Sequence, residues 1–383
     1  LKVFIVTGEA SGDRLGAALV GGLKQSIPDI LIQGVAGPEM KALGVPSLFE
    51  MSELSVMGIS EIFPKYLHLK SRLYQTVQAI LMLKPHVLVT IDSPDFCLRV
   101  ARAVRAADPN IRTVHYVAPT VWAWRPTRAR KMAKFIDHVL ALFPFEPPYM
   151  EAEGMACDFV GHPISSLPEI SAAELESFRS EYGIDPNKKS LLVLPGSRKS
   201  EISRLMPRFD KVLRHKAFAD IQLIFPTLPH IHDLLVEKTS AIEQSKFIFS
   251  GNGKSQLNAA RQRFVAYSCA DAALAASGTV SLELAAVSTP MVIAYDMGLL
   301  SRLIIGAMLR VDSVNLVNLV SDTRDIPEFI GKRCKSQLII PALEKVLRVP
   351  GLQSEAMSIT MNLLGRGEPG QGTRAADAIL ARL

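Results

Sequence analysis

The chain begins with LKVFIVTGEASGDRLGAALVGGLK (residues 1–24), in which an apolar, β-branched run ends abruptly in small and acidic residues. The run over residues 3–7 predicts a buried strand, and residues 15–25, rich in Ala, Leu and Gly, predict a helix. Between them, GEASGD at residues 8–13 is expected to form a loop. Strand, small-residue loop and helix in this order present backbone N–H groups to a ligand and are typical of a parallel α/β sheet.

The same alternation of strand and helix signals continues along the chain and then restarts. In the first half, strand signals lie at residues 3–7, 30–36, 86–91, 112–117, 139–143 and 158–160. In the second half, they lie at residues 190–194, 221–226, 246–249, 271–276 and 291–295. A polar, proline-containing segment at residues 165–189 separates the two sets. We therefore predict an α/β protein with two doubly wound, Rossmann-like domains, whose ligands bind at the loops after the strands.

Composition sets the broad class of the protein. The chain has 383 residues, of which 48% are hydrophobic and 21% charged, so two folded domains are expected and wholesale disorder is excluded. The net charge of +6 fits an acidic partner, which can be nucleic acid, anionic lipid or a phosphorylated substrate. The four cysteines are scattered, which predicts a reduced chain without structural zinc. No secretory signal and no run of about 20 apolar residues is visible.

One candidate anion-binding loop is PGSRKSEI at residues 195–202. It follows a buried strand and places Arg198 at the carboxyl edge of the second predicted sheet. A planar guanidinium there can bind a diphosphate and neutralise the charge of a leaving group. The alternative is a surface arginine that pairs with Glu201.

A second candidate loop lies in AASGTVSLELA at residues 275–285. Small and hydroxyl-bearing residues at a helix N-terminus let backbone N–H groups meet a phosphate. Glu283, one turn further on, can accept hydrogen bonds from ribose hydroxyls. The alternative is that Ser277 or Thr279 caps the helix and that Glu283 merely suits the helix dipole.

Several ligand classes lack their usual motif. The chain contains no GxxxxGK[ST] and no GxGxxG, so a P-loop and a conventional NAD site are not supported. DSPD at residues 92–95 is not an Asp-x-Asp pair with a third ligand, so we predict no catalytic metal and no cofactor. Cationic side chains and backbone donors would then have to stabilise a phosphorylated leaving group.

The candidates for acid–base chemistry lie in the first half. Asp92 and Asp95 follow a buried strand, and Glu9 and Asp13 lie in the opening loop. Each of these carboxylates can deprotonate an attacking hydroxyl. His115 lies within a strand, where a packed core histidine is the simpler interpretation.

The opening loop has two interpretations. Its small residues, among them Ser11 and Gly12, suit the close approach of a ligand, whereas its two acids would repel a diphosphate. We therefore interpret the loop as a sugar-side wall of the active site, in which Glu9, Ser11 and Asp13 bind or orient sugar hydroxyls. The alternative is that Ser11 or Asp13 caps the following helix.

Residues 51–84 mix apolar side chains with lysine, arginine and histidine instead of forming one clean apolar stripe. This pattern is typical of an element that lies on an anionic membrane surface. The alternative is a core helix with a basic outer face. A second aromatic and basic cluster at residues 122–131 can hold a lipid phosphate or stack on a sugar and is too short for a nucleic-acid surface.

A series of motifs resembles the lipid-A-disaccharide synthase family. In chain order they are GEASGD (8–13), GVAGPEM (34–40), ELSVMGISEI (53–62), IDSPDF (91–96), HYVAPTVWAWR (115–125), LFPFE (142–146), FVGHP (159–163), LPGSR (194–198) and SGTVSLE (277–283). The resemblance continues past VNLVNLV at residues 314–320 and is weakest in the tail. Ser93 departs from the family, which often has alanine there, but both aspartates of that motif remain.

The resemblance implies a GT-B fold, in which two Rossmann-like domains face each other across a cleft. Residues 1–165 would form an acceptor-binding and membrane-facing domain. Residues 166–349 would bind the UDP-sugar donor, and helices over about 350–383 would return to the first domain.

The resemblance also implies the reaction. A 2,3-diacylglucosamine unit would pass with inversion from its UDP derivative to 2,3-diacylglucosamine 1-phosphate, giving UDP and the β-1,6-linked tetraacyl disaccharide 1-phosphate. The enzyme would be peripheral at the cytoplasmic face of the bacterial inner membrane, on an anionic surface, without a nucleic-acid partner, and a homodimer is left open. The alternatives are another UDP-N-acetylglucosamine enzyme, such as a soluble transferase or an epimerase, and a non-catalytic nucleotide- or lipid-binding protein.

Residue roles follow from the same resemblance. Asp95 would be the general base or would orient the acceptor hydroxyl, and Arg198 would hold the diphosphate. The remaining substrate contacts would fall to Ser277, Gly278 and Thr279 for phosphate, Glu283 for ribose, Asn318 for the nucleotide and Arg125 for a substrate phosphate.

Overall fold

The structure is a computed structural model that forms two compact units. The first consists of Leu1–Ser166 and Leu364–Leu383, and the second of Leu167–Leu363. The structure describes residues 1–54, 62–122, 127–244, 246–250, 256–297, 312–349 and 351–383.

The first unit is built from a six-stranded sheet and its flanking helices. The strands are β1 (Lys2–Thr7), β2 (Leu31–Val35), β3 (Val87–Ile91), β4 (Arg112–Tyr116), β5 (His138–Ala141) and β6 (Ala156–Phe159). The helices are α1 (Ala10–Ser26), α2 (Pro38–Ala42), α3 (Ile62–Leu83), α4 (Pro94–Ala107), α5 (Thr127–Met132), α6 (Pro147–Glu151) and, near the C-terminus, α15 (Gln371–Leu380).

The strand order of this sheet is β2-β1-β3-β4-β5-β6, and every pair is parallel. The central strands are continuous buried runs such as VLVTI in β3, as expected for a parallel sheet that is covered on both faces. The chain moves outward from β1 to β2 and then crosses to β3 on the other side. The carboxyl ends of β1 and β3 are therefore neighbours at the topological switch point, with Thr7 opposite Ile91.

The second unit has the same architecture. Its strands are β7 (Ser190–Leu194), β8 (Gln222–Thr227), β9 (Lys246–Ser250), β10 (Ala272–Ala275), β11 (Met291–Tyr295) and β12 (Glu328–Ile330). Its helices are α7 (Ala172–Tyr182), α8 (Lys199–Leu213), α9 (His232–Thr239), α10 (Gln256–Ser268), α11 (Val280–Ala286), α12 (Leu316–Ser321), α13 (Ser336–Arg348) and α14 (Ser354–Leu363).

The second sheet has the order β12-β11-β10-β7-β8-β9, again with parallel pairs throughout. Here the chain leaves β7 toward β8 and β9 and then returns to β10 on the other side. The switch point lies between β7 and β10, where Leu194 is opposite Ala275. Both units therefore leave the carboxyl ends of two central strands uncovered by a crossover.

The structure differs from the sequence-based elements at several places, and three of these differences change how the units are built. Helix α1 begins at Ala10, so GEASGD is not a six-residue loop and its last four residues form the first helical turn. Strand β12 has only three residues, and the sequence pattern did not indicate it. The return of the chain to the first unit occurs at Leu364 and not at about residue 350, because α14 packs within the second unit.

The C-terminal helix α15 completes the first unit by packing directly on α1. A Cβ at Gly372 would lie 2.1 Å from the Ala18 carbonyl oxygen, and one at Gly22 would lie 2.5 Å from the Gly372 carbonyl oxygen. Glycine at both positions lets the two helix backbones touch. The Gln371 side chain also donates a hydrogen bond to the buried Tyr116 hydroxyl.

Within the described residues, no helix is both long enough and apolar enough to cross a membrane.

Two histidines are buried in the first sheet. His115 is 2% exposed and hydrogen-bonds through Nδ1 to the Thr90 hydroxyl at 2.8 Å. Burial and, to a smaller extent, the Arg128 charge lower the pKa of His115 to about 3, against the opposing effect of the hydrogen bond to Thr90. Burial likewise lowers the pKa of His138 to about 4, against the opposing effect of Asp158. These histidines are neutral in the folded chain at neutral pH.

We expect His115 to make the stability of the fold sensitive to acid. Its pKa is depressed in the folded state, so below its unfolded pKa of about 6.5 the unfolded chain binds the extra proton, and stability is lost as pH falls toward about 3. Both proteins should lose free energy of unfolding between pH 7 and pH 5. The loss in the variant His115→Gln should be smaller than in the unchanged chain by about 2 kcal/mol. Urea unfolding at both pH values measures this. The exposed His230→Gln is the control, and parallel pH profiles for all three proteins would contradict the prediction.

Candidate active site

The motifs singled out in the sequence collect at the two switch points. In the first unit, GEASGD follows β1 and IDSPDF ends β3, and these strands are neighbours. In the second unit, LPGSR ends β7 and SGT follows β10, which are again neighbours. Each unit thus places two of its motifs at the edge where open α/β sheets bind ligands.

The first unit exposes a polar, acidic group at this edge. Glu9 lies at the N-cap position of α1 without a capping bond from its side chain, and it is exposed. Ser11 is also exposed, and its hydroxyl donates a hydrogen bond to Asp92 Oδ2 at 3.5 Å. Asp95 is exposed in the first turn of α4. The structure therefore brings Glu9, Ser11, Asp92 and Asp95 to one edge of one sheet.

The turn that carries these aspartates is strained. Asp92 and Ser93 have φ values of +50° and +40°, in the left-handed region that residues other than glycine rarely adopt. The Asp92 N–H donates to the Tyr116 carbonyl at 3.0 Å, which holds the turn to the neighbouring strand. A Cβ at Gly8 would lie 2.8 Å from Ser93 Oγ, so a glycine there lets the two loops approach each other. Strained turns of this kind occur preferentially at functional sites.

Asp13 has a structural role in place of the predicted catalytic one. Its side chain is buried at 2% exposure, and its two oxygens accept hydrogen bonds from the N–H groups of Gly37, Glu39 and Met40 at 2.8–3.2 Å. These groups form the N-terminus of α2, so Asp13 caps a helix 24 or more residues away and not its own. Its oxygens are occupied, which removes Asp13 from the candidate proton acceptors.

Gly12 is likewise structural. It is buried in the first turn of α1, and a Cβ there would lie 2.2 Å from the Thr7 hydroxyl oxygen. Because glycine has no Cβ, α1 can pack against the end of β1. The structure thus gives Gly12 a packing role, and its substrate contact stays a prediction.

In the second unit, Glu201 organises the loop that carries Arg198. Glu201 Oε2 accepts hydrogen bonds from the N–H groups of Ser197 and Arg198 at 3.0 and 3.3 Å. Gly196 adopts a φ of +112°, and a Cβ there would lie 2.5 Å from the same oxygen. The Tyr295 hydroxyl donates to Glu201 Oε1 at 3.4 Å.

The side chain of Arg198 remains available to a ligand. It is 78% exposed and contacts Glu201 Oε1 at 3.4 Å, the geometry of a weak surface ion pair. The predicted pairing with Glu201 therefore exists, and it leaves most of the guanidinium donors free for a diphosphate.

The SGT loop presents backbone at the end of β10. Gly278 is exposed and has a φ of +150°, which favours glycine. Thr279 is the N-cap residue of α11, and its side chain makes no capping hydrogen bond. The capping alternative is therefore wrong for Thr279. Ser277 is half-buried beside it.

Glu283 is held by two neighbours from α10. The Tyr267 hydroxyl donates to Glu283 Oε2 at 3.2 Å, and Arg263 contacts Oε1 at 3.5 Å. Burial, and then the Glu283 charge, raise the pKa of Tyr267 well above its usual value, so Tyr267 stays a hydrogen-bond donor. Glu283 keeps 24% of its side chain exposed, which leaves it accessible.

Asn318 is a structural residue and not an accessible nucleotide contact. It is 1% exposed, accepts a hydrogen bond from the Ile326 N–H at 3.0 Å and donates to the Ile326 carbonyl at 2.9 Å. This pair of bonds closes the chain between α12 and β12. Arg125, the other predicted contact, lies outside the described residues.

Sequence reasoning missed the residues that hold the candidates in place. Tyr267 holds Glu283, and Tyr295 holds Glu201, each from a different element of the second unit. Glu146 in LFPFE received no role, although a lone carboxylate after a buried strand is a usable signal. Among the described residues, no group of three His, Cys, Asp or Glu side chains is placed to hold a metal ion.

Comparison with known proteins adds the family relationship. The family model described as lipid-A-disaccharide synthetase matches residues 3–364. A lipid-A-disaccharide synthase of Ruegeria pomeroyi is 51% identical, covering 100% of this chain and 96% of the relative. One from Rhodospirillum centenum is 40% identical, covering 99% and 94%.

Solved structures show what the fold resembles. The UDP-GlcNAc 2-epimerase of Neisseria meningitidis, bound to UDP-GlcNAc, aligns with a TM-score of 0.66 over 100% of both chains at 13% identity. Acinetobacter baumannii MurG aligns with a TM-score of 0.56 over 99% of both chains, also at 13% identity. These similarities confirm the predicted α/β, GT-B fold class.

The capping role of Asp13 leads to a stability prediction. The variant Asp13→Ala leaves three N–H groups at the N-terminus of α2, two of them buried, without their charged acceptor, so we expect the free energy of unfolding to decrease by about 3 kcal/mol. The matched control Glu9→Ala, at an exposed position four residues earlier, should change it by less than about 0.5 kcal/mol. Urea unfolding measures both, and equal stabilities for the two variants would exclude the capping role.

Proposed function

Because the chain belongs to the lipid-A-disaccharide synthase family, we propose that it transfers a 2,3-diacylglucosamine unit from UDP-2,3-diacylglucosamine to 2,3-diacylglucosamine 1-phosphate. The products would be UDP and the β-1,6-linked tetraacyl disaccharide 1-phosphate. The observation that carries this proposal is the family match over residues 3–364, with motifs of that family at the switch points of both sheets.

On the acceptor side, we assign the chemistry to the exposed acids of the first unit. Asp95 takes the proton from the 6-hydroxyl of the acceptor as the oxygen of that hydroxyl attacks the anomeric carbon of the donor. The new C–O bond forms as the bond from that carbon to the UDP oxygen breaks, with inversion. Glu9, Ser11 and Asp92 lie at the same edge and orient the sugar hydroxyls.

On the donor side, the second unit binds the UDP group. The exposed guanidinium of Arg198 binds the diphosphate and stabilises the charge that grows on the leaving group. Ser277, Gly278 and Thr279 offer hydroxyl and backbone donors to phosphate. Glu283, held by Tyr267 and Arg263, accepts hydrogen bonds from the ribose hydroxyls.

The alternative of another UDP-N-acetylglucosamine enzyme is not favoured. The likeness to the epimerase of known structure is at 13% identity and concerns the fold, whereas the Ruegeria pomeroyi relative is 51% identical over the whole chain. A non-catalytic binding protein would not need the exposed acids beside the strained turn of the first unit.

We also propose that helix α3 lies on the cytoplasmic surface of the inner membrane and brings the enzyme to its acylated substrates. Tyr66, Leu67 and Tyr74 are 56%, 71% and 68% exposed, and Met82 is 80% exposed. They lie within one face of the helix together with Lys70. Exposed apolar rings beside a cation suit the boundary of an anionic leaflet.

The transfer reaction has a paired mutational test. Asp95→Asn keeps the size of the side chain but removes the proton acceptor, so kcat should fall at least about 100-fold while the Kd for UDP is unchanged. Arg198→Ala removes charge-assisted hydrogen bonds, so the Kd for UDP should rise about 10- to 100-fold. UDP release from the two acylated substrates gives the rate, and titration calorimetry gives the Kd.

Matched controls are Asp108→Asn and Arg214→Ala, at the opposite ends of α4 and α8. A retained rate in Asp95→Asn excludes Asp95 as the base. Unchanged UDP affinity in Arg198→Ala excludes the diphosphate role. If the unchanged protein releases no UDP from these substrates, the proposed function itself is wrong.

The membrane proposal predicts loss of lipid binding when the α3 face is made polar. The triple variant Tyr66→Ser, Leu67→Ser and Tyr74→Ser should bind vesicles containing anionic phospholipid at least about tenfold more weakly, because three apolar groups no longer enter the interface. Sedimentation with vesicles measures this. Val236→Ser, which changes an exposed apolar residue of the second unit, is the control. Equal binding of all three proteins would refute the membrane role of α3.

A further inference from the structure

Four aromatic rings form a continuous row at the carboxyl edge of the first sheet. Trp122 follows β4, Phe143 and Phe145 follow β5, and His162 follows β6. The ring centroids are 5.1 Å apart for Trp122 and Phe145, 5.4 Å for Phe145 and Phe143, and 5.5 Å for Phe143 and His162. We call these four residues the aromatic row. They connect loops from three neighbouring strands at the edge that carries Asp95.

A buried carboxylate fastens this row. Glu146 is 2% exposed, and its Oε2 accepts hydrogen bonds from the N–H groups of Leu142 and Phe143 at 3.1 and 3.0 Å. Its Oε1 accepts one from the Trp122 indole N–H at 3.3 Å. Glu146 thus joins the turn after β5 to Trp122 in the segment after β4.

The described segment after β4, residues 117–122, contains an unfavourable backbone conformation. Val117, at its start, has a φ of +83°, which is unfavourable for a β-branched residue and costs about 1–3 kcal/mol. The Val117 N–H donates to the Leu140 carbonyl at 3.0 Å, so the start of the loop is held to β5. The indole bond to Glu146 holds Trp122 to the segment that follows the same strand.

Burying the carboxylate of Glu146 costs desolvation free energy, and packing alone does not explain why an acid stands at this position. All three of the described hydrogen-bond partners of Glu146 are neutral N–H groups. Burial raises the pKa of Glu146 to about 7, and these N–H groups oppose the rise. Buried acids with raised pKa values cluster at functional sites.

We propose that Glu146 is a positioning residue for the transfer reaction: it holds Trp122, and with it residues 117–122 and the aromatic row, where the sugar ring of the acylated acceptor binds. This inference rests on the proposed function, in which the first unit receives the acceptor. Trp122, Phe145 and His162 are partly exposed and offer apolar ring surface to the nonpolar face of that sugar. Glu146 itself is too deeply buried to touch the substrate.

The test uses Glu146→Gln and Trp122→Phe in the full-length chain. Glutamine has one acceptor oxygen where glutamate has two, so either the indole or the backbone pair loses its partner. We expect at least a tenfold rise in KM for the acceptor in each variant, with KM for the donor and the Kd for UDP unchanged. The double variant should be no worse than the more impaired single variant, because both changes break one interaction.

Tryptophan emission separates positioning from general damage. The difference spectrum between a protein and its Trp122→Phe counterpart isolates Trp122, and in Glu146→Gln this emission should shift to longer wavelength and be quenched more readily by acrylamide. The control Glu151→Gln, an exposed acid on the next helix, should match the unchanged chain in all measurements.

Several outcomes would overturn the inference. If KM for the acceptor stays within twofold in both variants while the unchanged chain is active, Glu146 and Trp122 do not position the acceptor. If Glu146→Gln is too unstable to assay, Trp122→Phe decides the question alone, because it leaves the backbone bonds of Glu146 intact. If the unchanged chain transfers no sugar, the proposed function fails and this inference fails with it, a result that the unchanged-chain assay reports separately.

Discussion

The parallel sheet imposes one constraint from which the rest of each unit follows. Parallel strands need crossover helices, and when a chain winds first to one side and then to the other, two central strands end beside each other with no crossover above them. In the first unit these strands are β1 and β3, and in the second they are β7 and β10. The strained turn at Asp92 and Ser93 lies at the first of these edges, and the loop that carries Arg198 lies at the second.

Side-chain acceptors that bind backbone N–H groups define the local geometry around both edges. Asp13 fixes the start of α2, Glu201 fixes the loop before α8, and Glu146 fixes the turn after β5. In each case a carboxylate takes N–H groups that would otherwise be unpaired in a turn or a helix terminus. The candidate reactive residues, such as Asp95 and Arg198, are by contrast exposed.

The sequence predicted the two Rossmann-like units and most strands, because buried parallel strands leave continuous apolar runs such as SLLVL in β7. It did not separate reactive polar residues from structural ones. Asp13 and Asn318 stand in motifs beside exposed residues, but their partners are the N–H groups of Gly37 and Ile326, which only the folded chain brings near. The start of α1 was also missed, because Gly and Ser in GEASGD suggest a loop while neighbouring backbone contacts favour a helix.

The late return of the chain has a consequence for how the protein is made. The strands of the first unit leave the ribosome early, but the residues after Leu364 belong to the same unit and are synthesised last. Until then α1 lacks the helix backbone that meets Gly22, and the Tyr116 hydroxyl lacks the Gln371 amide. The second unit can therefore finish folding before the first. The nascent first unit must remain incompletely folded while nearly two hundred residues of the second unit are translated.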